Sequence, residues 1–395
     1  MMKILIVNSL YYPNVTGGAE RSVQLLAEGL KKAGVDVIVV STADQDKIDI
    51  VNEIKVYYLN IPNLYWMRTA KQQPKYKKPL WHLIDSYNPF AASKLTEILK
   101  TEHPDLIHTN NLAGFSVSVW NAARRLNIPI VHTIRDHYLL CPNSTMYKND
   151  RNCPAQCPGC RMYSIPRKKQ SSIVSAVVGV SRFILEKHEK YGCFTKAQVR
   201  THIYNPSDIS LSDKPANKTG ERITFGLIGM LAPVKGTEYL LKRFASMITG
   251  RATLKIFGLG ITDSYEKMLI ERYESDTIKF MGHRKPEEIY REIDAAVIPS
   301  LCDDAFPRVV IEAYSHGIPI IATSMGGASE MIDIDRTGFI FDPDTEGDLE
   351  DKIGRFISNP ELAWSLSQAC LEKAKTFEIN NVVRQYIEVY SQVIK

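Results

Sequence analysis

The sequence predicts an α/β protein with two parallel-sheet domains, and three features support this prediction. Residues 3–8 form an apolar run typical of a buried strand, residues 21–33 have helical spacing, and residues 35–41 form a second apolar run. The same order of strand, helix and strand returns over residues 223–257. Residues 205–220 between the halves are rich in turn and linker residues. We therefore expect domains at residues 1–205 and 206–377, with a cleft between them.

Length and composition limit the class of protein. A chain of 395 residues has room for two or three domains, and its apolar content of 44% is ordinary for a soluble globular protein. No apolar run approaches the roughly 20 residues that span a bilayer, and the first residues are too few and too strand-like for a signal peptide. The net charge of +5 is too small to require nucleic acid. These features predict a cytoplasmic protein with no nucleic-acid partner.

The first half continues as alternating strands and helices. Apolar runs predict strands at residues 54–60, 105–108, 130–134, 173–180 and 198–204. Helical spacing predicts helices at residues 91–100, 114–126 and 182–191, the last capped by Ser181. The loop after the first strand contains Gly17 and Gly18 but not the Gly-x-Gly-x-x-Gly pattern, so a dehydrogenase-type dinucleotide site is not expected. The two glycines are also explained by a tight strand-to-helix turn.

Polar residues follow the predicted strand at 130–134. Arg135, Asp136 and His137 stand where that strand ends. Ligands of open parallel sheets bind outside the carboxyl ends of the strands, so these three residues are candidates for a binding site. The alternative for His137 is a partly buried histidine with satisfied hydrogen bonds.

Residues 62–90 form an insertion rich in aromatic and basic side chains. Arg68, Lys71, Lys75, Lys77 and Lys78 lie among Tyr65, Trp66, Tyr76 and Trp81, and a second basic group follows at residues 167–169. One interpretation is a solvated loop. The other is peripheral contact with an anionic membrane, to which each basic residue near the surface contributes about 1 kcal/mol.

Four of the seven cysteines are close together in the sequence. Cys141, Cys153, Cys157 and Cys160 follow the spacing Cys-x11-Cys-x3-Cys-x2-Cys in a segment rich in proline and glycine. Four thiolates at such spacing can form a structural zinc site, and an iron–sulfur cluster is chemically feasible. Free thiols are the remaining alternative, whereas the lack of an export signal disfavours disulfides.

The second half carries the most informative stretch, residues 299–330. Apolar runs predict strands at residues 252–257, 278–282 and 338–342 and one that leads to Pro299. Helices are expected at residues 237–247, 287–293, 349–357, 361–375 and 380–394. Pro307 suits the first turn of a further helix, which Gly317 and Pro319 should end, so we predict a helix over residues 307–316.

The start of this helix is a candidate phosphate site. Backbone N–H groups in the first turn of a helix have no partner within it, and the macrodipole is positive there. The residues that would supply those amides are Ala305, Phe306, Arg308 and Val309. Asp304 lies in the preceding loop and Glu312 lies further inside the helix, positions that suit the hydroxyls of a sugar. The alternative is a helix cap at Asp304 and a surface glutamate at Glu312.

Several motifs in this order resemble the retaining glycosyltransferases of family four. That family carries Glu, seven residues, Glu, then Gly-x-Pro and a Gly-Gly loop. Here the pattern is Asp304, seven residues, Glu312, Gly317-Ile-Pro319 and Gly326-Gly327. The family motif Gly-Arg-Leu-x-x-x-Lys-Gly falls on residues 229–236, with Gly229 and Lys235 retained and Met230 in place of arginine. Aligned on Asp136, the family's histidine falls on Arg135.

The resemblance implies a GT-B fold and a hexosyltransferase that uses a nucleotide sugar. The donor, linked to UDP or GDP, would bind the second domain, and a glycan or lipid-linked acceptor of surface polysaccharide synthesis would bind the first. Lys235, helix amides and an arginine, Arg308 or Arg135, would stabilise the leaving diphosphate. Glu312 would hold the ribose, Asp304 would face the donor sugar, and Gly17 and Gly18 would approach the donor. No catalytic metal is required, and residues 378–395 would pack back onto the first domain.

Two other functions fit the same residues. A GT-B sugar-nucleotide epimerase would use the same phosphate site without an acceptor. A nucleotide-sugar-binding protein would have kept the fold and lost turnover, as the changes at Met230 and Asp304 allow.

Overall fold

The computed structural model describes residues 2–15, 17–208, 222–247 and 250–394. The chain forms two compact units, one made of Met1–Met146, Cys153–Pro206 and Glu378–Lys395, the other of Tyr147–Asn152 and Ser207–Phe377. The domain boundaries predicted from the sequence lie after residues 205 and 377. The assignment of Tyr147–Asn152 to the second unit has no counterpart in the sequence prediction. Most of the predicted linker, residues 209–220, lies outside the described residues.

The first unit contains an eight-stranded sheet in the order β10-β9-β6-β5-β1-β2-β4-β3. All neighbours are parallel except β3 and β4, which are antiparallel. Its first six strands are β1 (Lys3–Asn8), β2 (Asp36–Thr42), β3 (Lys47–Val51), β4 (Ile54–Leu59), β5 (Leu106–Thr109) and β6 (Ile130–Ile134). A short hairpin of β7 (Tyr147–Lys148) and β8 (Arg151–Asn152) follows, and then β9 (Ala176–Gly179) and β10 (Val199–His202) complete the sheet.

Helices connect these strands. They are α1 (Gly18–Lys32), α2 (Lys77–Ser86), α3 (Pro89–Glu102), α4 (Ser118–Arg125), α5 (Pro158–Ser171) and α6 (Arg182–Lys190). The predicted cap of α6 is confirmed, because the Ser181 side chain accepts a hydrogen bond from the Ile184 N–H. Five of the elements named so far were missed. They are β3, whose side chains are mostly exposed, the two-residue strands β7 and β8, and helices α2 and α5, which lack a strong apolar period.

The second unit contains a six-stranded parallel sheet in the order β13-β12-β11-β14-β15-β16. Its strands are β11 (Ile223–Ile228), β12 (Ala252–Phe257), β13 (Ile278–Gly282), β14 (Ala295–Ile298), β15 (Ile320–Thr323) and β16 (Gly338–Phe341). Its helices are α7 (Thr237–Ser246), α8 (Asp263–Tyr273), α9 (Pro286–Glu292), α10 (Arg308–Ser315), α11 (Asp348–Ser358) and α12 (Glu361–Ala374). Helix α8 was missed, since it buries only Leu269 and carries a weak apolar pattern.

The last helix, α13 (Ile379–Val393), packs in the first unit against α1. The two helices approach so closely at Gly29 that an added Cβ would lie 2.7 Å from a methyl of Val383. The Tyr390 hydroxyl is 2.8 Å from Nδ1 of His108, and the Tyr386 hydroxyl is 3.1 Å from Oγ1 of Thr133. Burial of the apolar face of α13 and these polar contacts hold the C-terminal segment in the first unit. Among the described helices, none has the length and the apolar composition needed to cross a bilayer.

Candidate active site

The carboxyl ends of three adjacent strands bring the predicted donor-site residues of the second unit together. Strand β11 lies beside β14, which lies beside β15, and all three are parallel. Lys235 follows β11, Asp304 follows β14, and Gly326 follows β15. Because parallel strands end at the same edge of the sheet, residues far apart in the sequence meet here.

Lys235 and Asp304 form an ion pair at this edge. The Lys235 Nζ atom donates to Oδ2 of Asp304 at 2.5 Å, and both side chains are partly buried. Burial alone would lower the pKa of Lys235, but the Asp304 charge and its hydrogen bond outweigh burial, so the pKa is raised. Lys235 therefore carries a fixed positive charge at the end of the sheet.

Glycines make room for the backbone around this ion pair. Gly326 has a φ of +68°, and a Cβ there would lie 2.4 Å from the Asp304 carbonyl oxygen. Gly236, next to Lys235, has a φ of +69°, and a Cβ there would lie 1.8 Å from the Pro299 carbonyl oxygen. Any larger residue would push the two loops apart, so both glycines help to fix the distance between Lys235 and Asp304.

Helix α10 begins four residues after Asp304, one residue later than the sequence predicted. It starts at Arg308 with Pro307 as its N-cap, and the Val310 N–H donates to the Pro307 carbonyl. One detail differs from the prediction, because the Phe306 N–H donates to Oδ1 of Asp304 at 3.2 Å. A phosphate would therefore have to compete with Asp304 for the Phe306 amide.

Glu312 lies on α10 beside two partners. Its carboxylate is 3.8 Å from Nε of Arg308 and accepts a hydrogen bond from the Tyr290 hydroxyl at 3.4 Å. Burial raises the pKa of Glu312, and the Arg308 charge and the Tyr290 hydrogen bond act against that rise. The interpretation of Glu312 as a solvated surface residue is therefore wrong.

A residue that the sequence analysis did not single out also shapes this site. Asn152, in the β7–β8 hairpin, donates to the Leu301 carbonyl and accepts from the Asp303 N–H, both at 3.0 Å. The Leu301 N–H in turn donates to the carbonyl of Val234, beside Lys235. The hairpin thus supports the loop that carries Asp304. A lone asparagine distant in sequence gives no signal of this contact.

In the first unit, Arg135, Asp136 and His137 follow β6, and each of the three side chains has different neighbours. Arg135 is buried and donates from Nε to Asn110 at 2.9 Å and from another nitrogen to Asn205. Asp136 accepts from the Tyr138 N–H at 2.7 Å, and burial raises its pKa to about 6. His137 is buried and stacks parallel to His188, with ring centroids 6.2 Å apart.

Gly17 and Gly18 lie at the start of α1, which begins three residues earlier than predicted. Gly17 is the N-cap, with an extended backbone, and its N–H donates to Oε2 of Glu20 at 2.9 Å. This arrangement makes the strand-to-helix turn. The approach of a donor phosphate to the two glycines stays a prediction.

The four predicted metal ligands form no disulfide, like the other three cysteines. Burial, followed by the neighbouring Cys157 and Cys141 thiols, raises the pKa of Cys160. In the described part of the chain, no group of three or more His, Cys, Asp or Glu side chains is arranged so that it could hold a metal ion. The zinc site stays a prediction.

Family models match both units. Residues 16–211 match the model described as Glycosyltransferase Family 4, and residues 208–375 match the model described as Glycosyl transferases group 1. A Klebsiella pneumoniae protein, described as an uncharacterized 42.6 kDa protein in the cps region, is 31% identical over 98% of this chain and 100% of its own length. The D-inositol 3-phosphate glycosyltransferase of Corynebacterium urealyticum is 25% identical over 42% of each chain.

Solved structures share the fold along the whole chain. Anabaena Alr3699/HepE in complex with UDP has a TM-score of 0.74 at 20% identity and covers 99% of this chain and 100% of its own. The lipopolysaccharide outer core galactosyltransferase WaaB has a TM-score of 0.69 at 17% identity, with the same coverage. These similarities, together with the two parallel-sheet units, confirm the predicted fold. The chain belongs to the family-four glycosyltransferases and has the GT-B fold.

Proposed function

We propose that this protein is a retaining hexosyltransferase that moves a hexose from a UDP- or GDP-linked donor to a glycan or lipid-linked acceptor. The observation that carries the proposal is the Lys235–Asp304 pair, 2.5 Å apart, just before the start of α10. This edge of the sheet combines a fixed cation with a helix N-terminus, and both favour a diphosphate. The partly buried Glu312, further along α10, suits the ribose hydroxyls.

The proposed catalysis is mainly electrostatic. When the sugar–phosphate bond breaks, negative charge grows on the leaving diphosphate, and the Lys235 ammonium is already held where this charge forms. Removal of one such preorganised donor typically lowers the rate by about 10²–10³-fold. Asp304 would give up its hold on Lys235 to the diphosphate and face the departing sugar. No step requires a metal ion, and no metal enters the proposal for catalysis.

Two comparisons guide the choice of substrates. Structures of Anabaena Alr3699/HepE contain UDP and UDP-glucose, so UDP-hexoses are the first donors to test and GDP-hexoses the second. The Klebsiella pneumoniae relative belongs to a cps region, which supports an acceptor in surface polysaccharide synthesis.

A basic and apolar face of the first unit supports a lipid-linked acceptor. Helices α2 and α5 pack together through Tyr163, whose hydroxyl donates to the Pro79 carbonyl at 3.1 Å. Both helices, together with the two residues before α2, expose apolar and basic side chains, which are Tyr76, Leu80, Leu83, Met162, Ile165, Lys75, Lys78, Lys168 and Lys169. We propose that this face, the α2–α5 face, rests on an anionic membrane.

Two parts of the sequence interpretation of this face are wrong. Arg167 does not belong to the basic surface, because it is fully buried and its guanidinium lies 3.2 Å from the Asp85 carboxylate. Trp81 is also buried, and its ring stacks on Tyr65. Both residues hold α2 and α5 in place instead of contacting lipid.

The test is a panel of UDP- and GDP-hexoses, each incubated with the protein with and without lipid-linked or oligosaccharide acceptors. We expect release of nucleotide that depends on acceptor, with a product that keeps the anomeric configuration of the donor. Isomerisation of the donor without acceptor would identify an epimerase instead. Donor binding without turnover across the panel would identify a binding protein, and an inverted product would contradict the retaining mechanism.

A further inference from the structure

We propose that Tyr290 is a positioning residue, which holds the Glu312 carboxylate so that it selects the ribose of the donor nucleotide. The inference rests on the proposed function, which assigns the ribose hydroxyls to Glu312. The Tyr290 hydroxyl donates to Oε2 of Glu312 at 3.4 Å, whereas Nε of Arg308 lies 3.8 Å from the other oxygen, Oε1. Each carboxylate oxygen therefore has a partner of its own, and together the two partners restrict the rotation of the carboxylate.

The ring of Tyr290 is itself held in place. Tyr290 belongs to α9 and is only 4% exposed. Its ring stacks on the His316 imidazole, with the centroids 4.7 Å apart and the planes 20° from parallel. Nδ1 of His316 donates to the backbone carbonyl of Glu312 at 2.9 Å. His316 thus ties the Tyr290 ring to the helix that carries Glu312, so the hydroxyl and the carboxylate keep a fixed relation.

The chemistry of the pair leaves room for a sugar. Burial, followed by the charge of Glu312, raises the pKa of Tyr290 well above its ordinary value, so the phenol stays protonated at neutral pH and donates. A hydroxyl donor occupies one of the roughly four lone-pair sites of a carboxylate. Glu312 can therefore accept from two adjacent ribose hydroxyls while it remains bonded to Tyr290.

Such a carboxylate discriminates between ribose and deoxyribose. The Glu312 side chain is only 20% exposed, so water replaces a missing ribose hydroxyl poorly. A site that is built to bond a substrate hydroxyl rejects the analogue without it, because a polar group of the site is left unpaired. Tyr290 strengthens this discrimination by keeping the carboxylate oriented. We therefore expect ribonucleotides to bind better than their 2′-deoxy and 3′-deoxy analogues, and the preference to depend on the Tyr290 hydroxyl.

The first experiment measures nucleotide binding by calorimetry, with UDP, GDP and the 2′-deoxy and 3′-deoxy form of each. The wild-type protein should bind the ribonucleotide about tenfold or more tightly than at least one deoxy analogue, and Glu312→Gln should lose most of this preference. Tyr290→Phe keeps the stacked ring and should lower the preference about threefold or more. The matched control is Tyr273→Phe, since the Tyr273 hydroxyl also donates to a glutamate of this unit, Glu238, at 3.1 Å. It should keep the wild-type preference.

The second experiment tests the contact without any nucleotide. Burial raises the pKa of Glu312, whereas the Tyr290 hydrogen bond lowers it. The folded chain therefore binds more protons at Glu312 than the unfolded chain, and the free energy of unfolding falls as pH rises through this range. Tyr290→Phe raises the folded-state pKa further, so its destabilising effect should grow from about pH 4 to about pH 8. The other titratable or charged groups that act on Glu312 are Arg308, His316 and Asp208.

A double-mutant cycle separates Glu312 from these other groups. Denaturant unfolding of Tyr290→Phe is compared in the wild-type and Glu312→Gln backgrounds, and the pH dependence of its effect should disappear in the second. An effect of Tyr290→Phe that does not change with pH, or that changes equally in both backgrounds, would overturn the positioning role.

The two experiments also distinguish this inference from the proposed function. Wild-type ribose preference in Tyr290→Phe, with UDP or GDP bound, would refute the role of Tyr290 and leave the transferase proposal intact. A wild-type protein that binds none of the nucleotides would contradict the proposed function and the ribose role together. The unfolding cycle would still decide whether Tyr290 holds Glu312.

Discussion

The Lys235 ammonium lies 2.5 Å from the Asp304 carboxylate, although 69 residues separate them in the sequence. Their two loops follow adjacent parallel strands, and Gly236 and Gly326 let these loops approach. Asp304 also accepts from the Phe306 N–H. One carboxylate therefore positions both the cation and the amide that would meet a diphosphate.

Asp304→Asn separates these two roles. Asparagine keeps an oxygen for the Phe306 N–H but loses the charge that holds Lys235. We expect turnover to fall about tenfold or more, whereas the melting temperature should change little. The matched control is Asp303→Asn, which changes the neighbouring carboxylate and should retain most of the turnover. Wild-type turnover in Asp304→Asn would contradict a role for this charge.

A second prediction concerns the arginine that is missing at Met230. Arg308 is the leading replacement because it lies in the first turn of α10, 3.8 Å from Glu312. Arg308→Ala should lower turnover by about tenfold or more, and Met230→Arg should recover part of the loss. Met230 is about half exposed, so arginine fits there without disturbing the core. The control is Arg355→Ala, which removes an exposed ion pair with Asp335.

Arg135→Ala needs a separate measurement. Arg135 is buried and bonded to Asn110 and Asn205, so its loss should lower the melting temperature as well as turnover. Activity should therefore be measured well below the melting temperature of the variant. Near-normal turnover in both Arg308→Ala and Arg135→Ala would show that another group meets the diphosphate.

A third prediction concerns acid stability. Burial, followed by the charges of Arg167 and Lys78, lowers the pKa of His82 to about 4 from an ordinary value near 6.5. Between these values the unfolded chain binds more protons than the folded one, so the free energy of unfolding falls as pH falls. Because of His82, the free energy of unfolding falls by about 1.4 kcal/mol for each pH unit, and most of this fall occurs between about pH 6 and pH 4.

His82→Phe tests this prediction directly. Neither ring nitrogen of His82 has a hydrogen-bond partner in the structure as described, and its neighbours include the rings of Trp81 and Tyr163. Phenylalanine should therefore stabilise the fold by about 1 kcal/mol at neutral pH, and the gain should grow as pH falls. Denaturant unfolding at several pH values measures the difference, with His283→Phe as the exposed control. A difference independent of pH would contradict the assignment.

The fourth prediction concerns the α2–α5 face. Binding to anionic vesicles should weaken as salt rises, because exposed charges are screened beyond about 8–10 Å at physiological ionic strength. Lys75→Glu with Lys78→Glu should weaken binding further, and Leu83→Ser should weaken it at every salt concentration. Lys242→Glu with Lys267→Glu, two exposed lysines of the second unit, is the control for net charge. Equal association with neutral and anionic vesicles would count against the membrane contact.

Local sequence patterns predicted most of the helices and strands, but they did not predict contacts between residues that are far apart in the sequence. Helix α10 was predictable, because the apolar period, Pro307 and Gly317 are local signals. The ion pair of Lys235 with Asp304 needed the strand order of the sheet. The contact of Asn152 with the Asp303 loop had no local signal, since the hairpin is only six residues long and packs with the second unit.

The same limit explains the error at Arg167. Arg167 was assigned to the surface because it precedes two lysines, yet it pairs with Asp85 in the interior. The ion-pair partner of Arg167 lies 82 positions away in the sequence. The residues next to Arg167 therefore do not distinguish it from a surface arginine.

The central claim is that Lys235 stabilises the leaving diphosphate of a nucleotide sugar. The most direct test compares nucleotide release at saturating donor and acceptor in Lys235→Met and Lys255→Met. Lys255 is the matched control, because it forms a partly buried ion pair with Glu292 at 2.7 Å in the same unit. We expect Lys235→Met to lower turnover by about 10²–10³-fold and Lys255→Met to leave it near the wild-type value. Equal turnover in the two variants, with both folded, would contradict the claim.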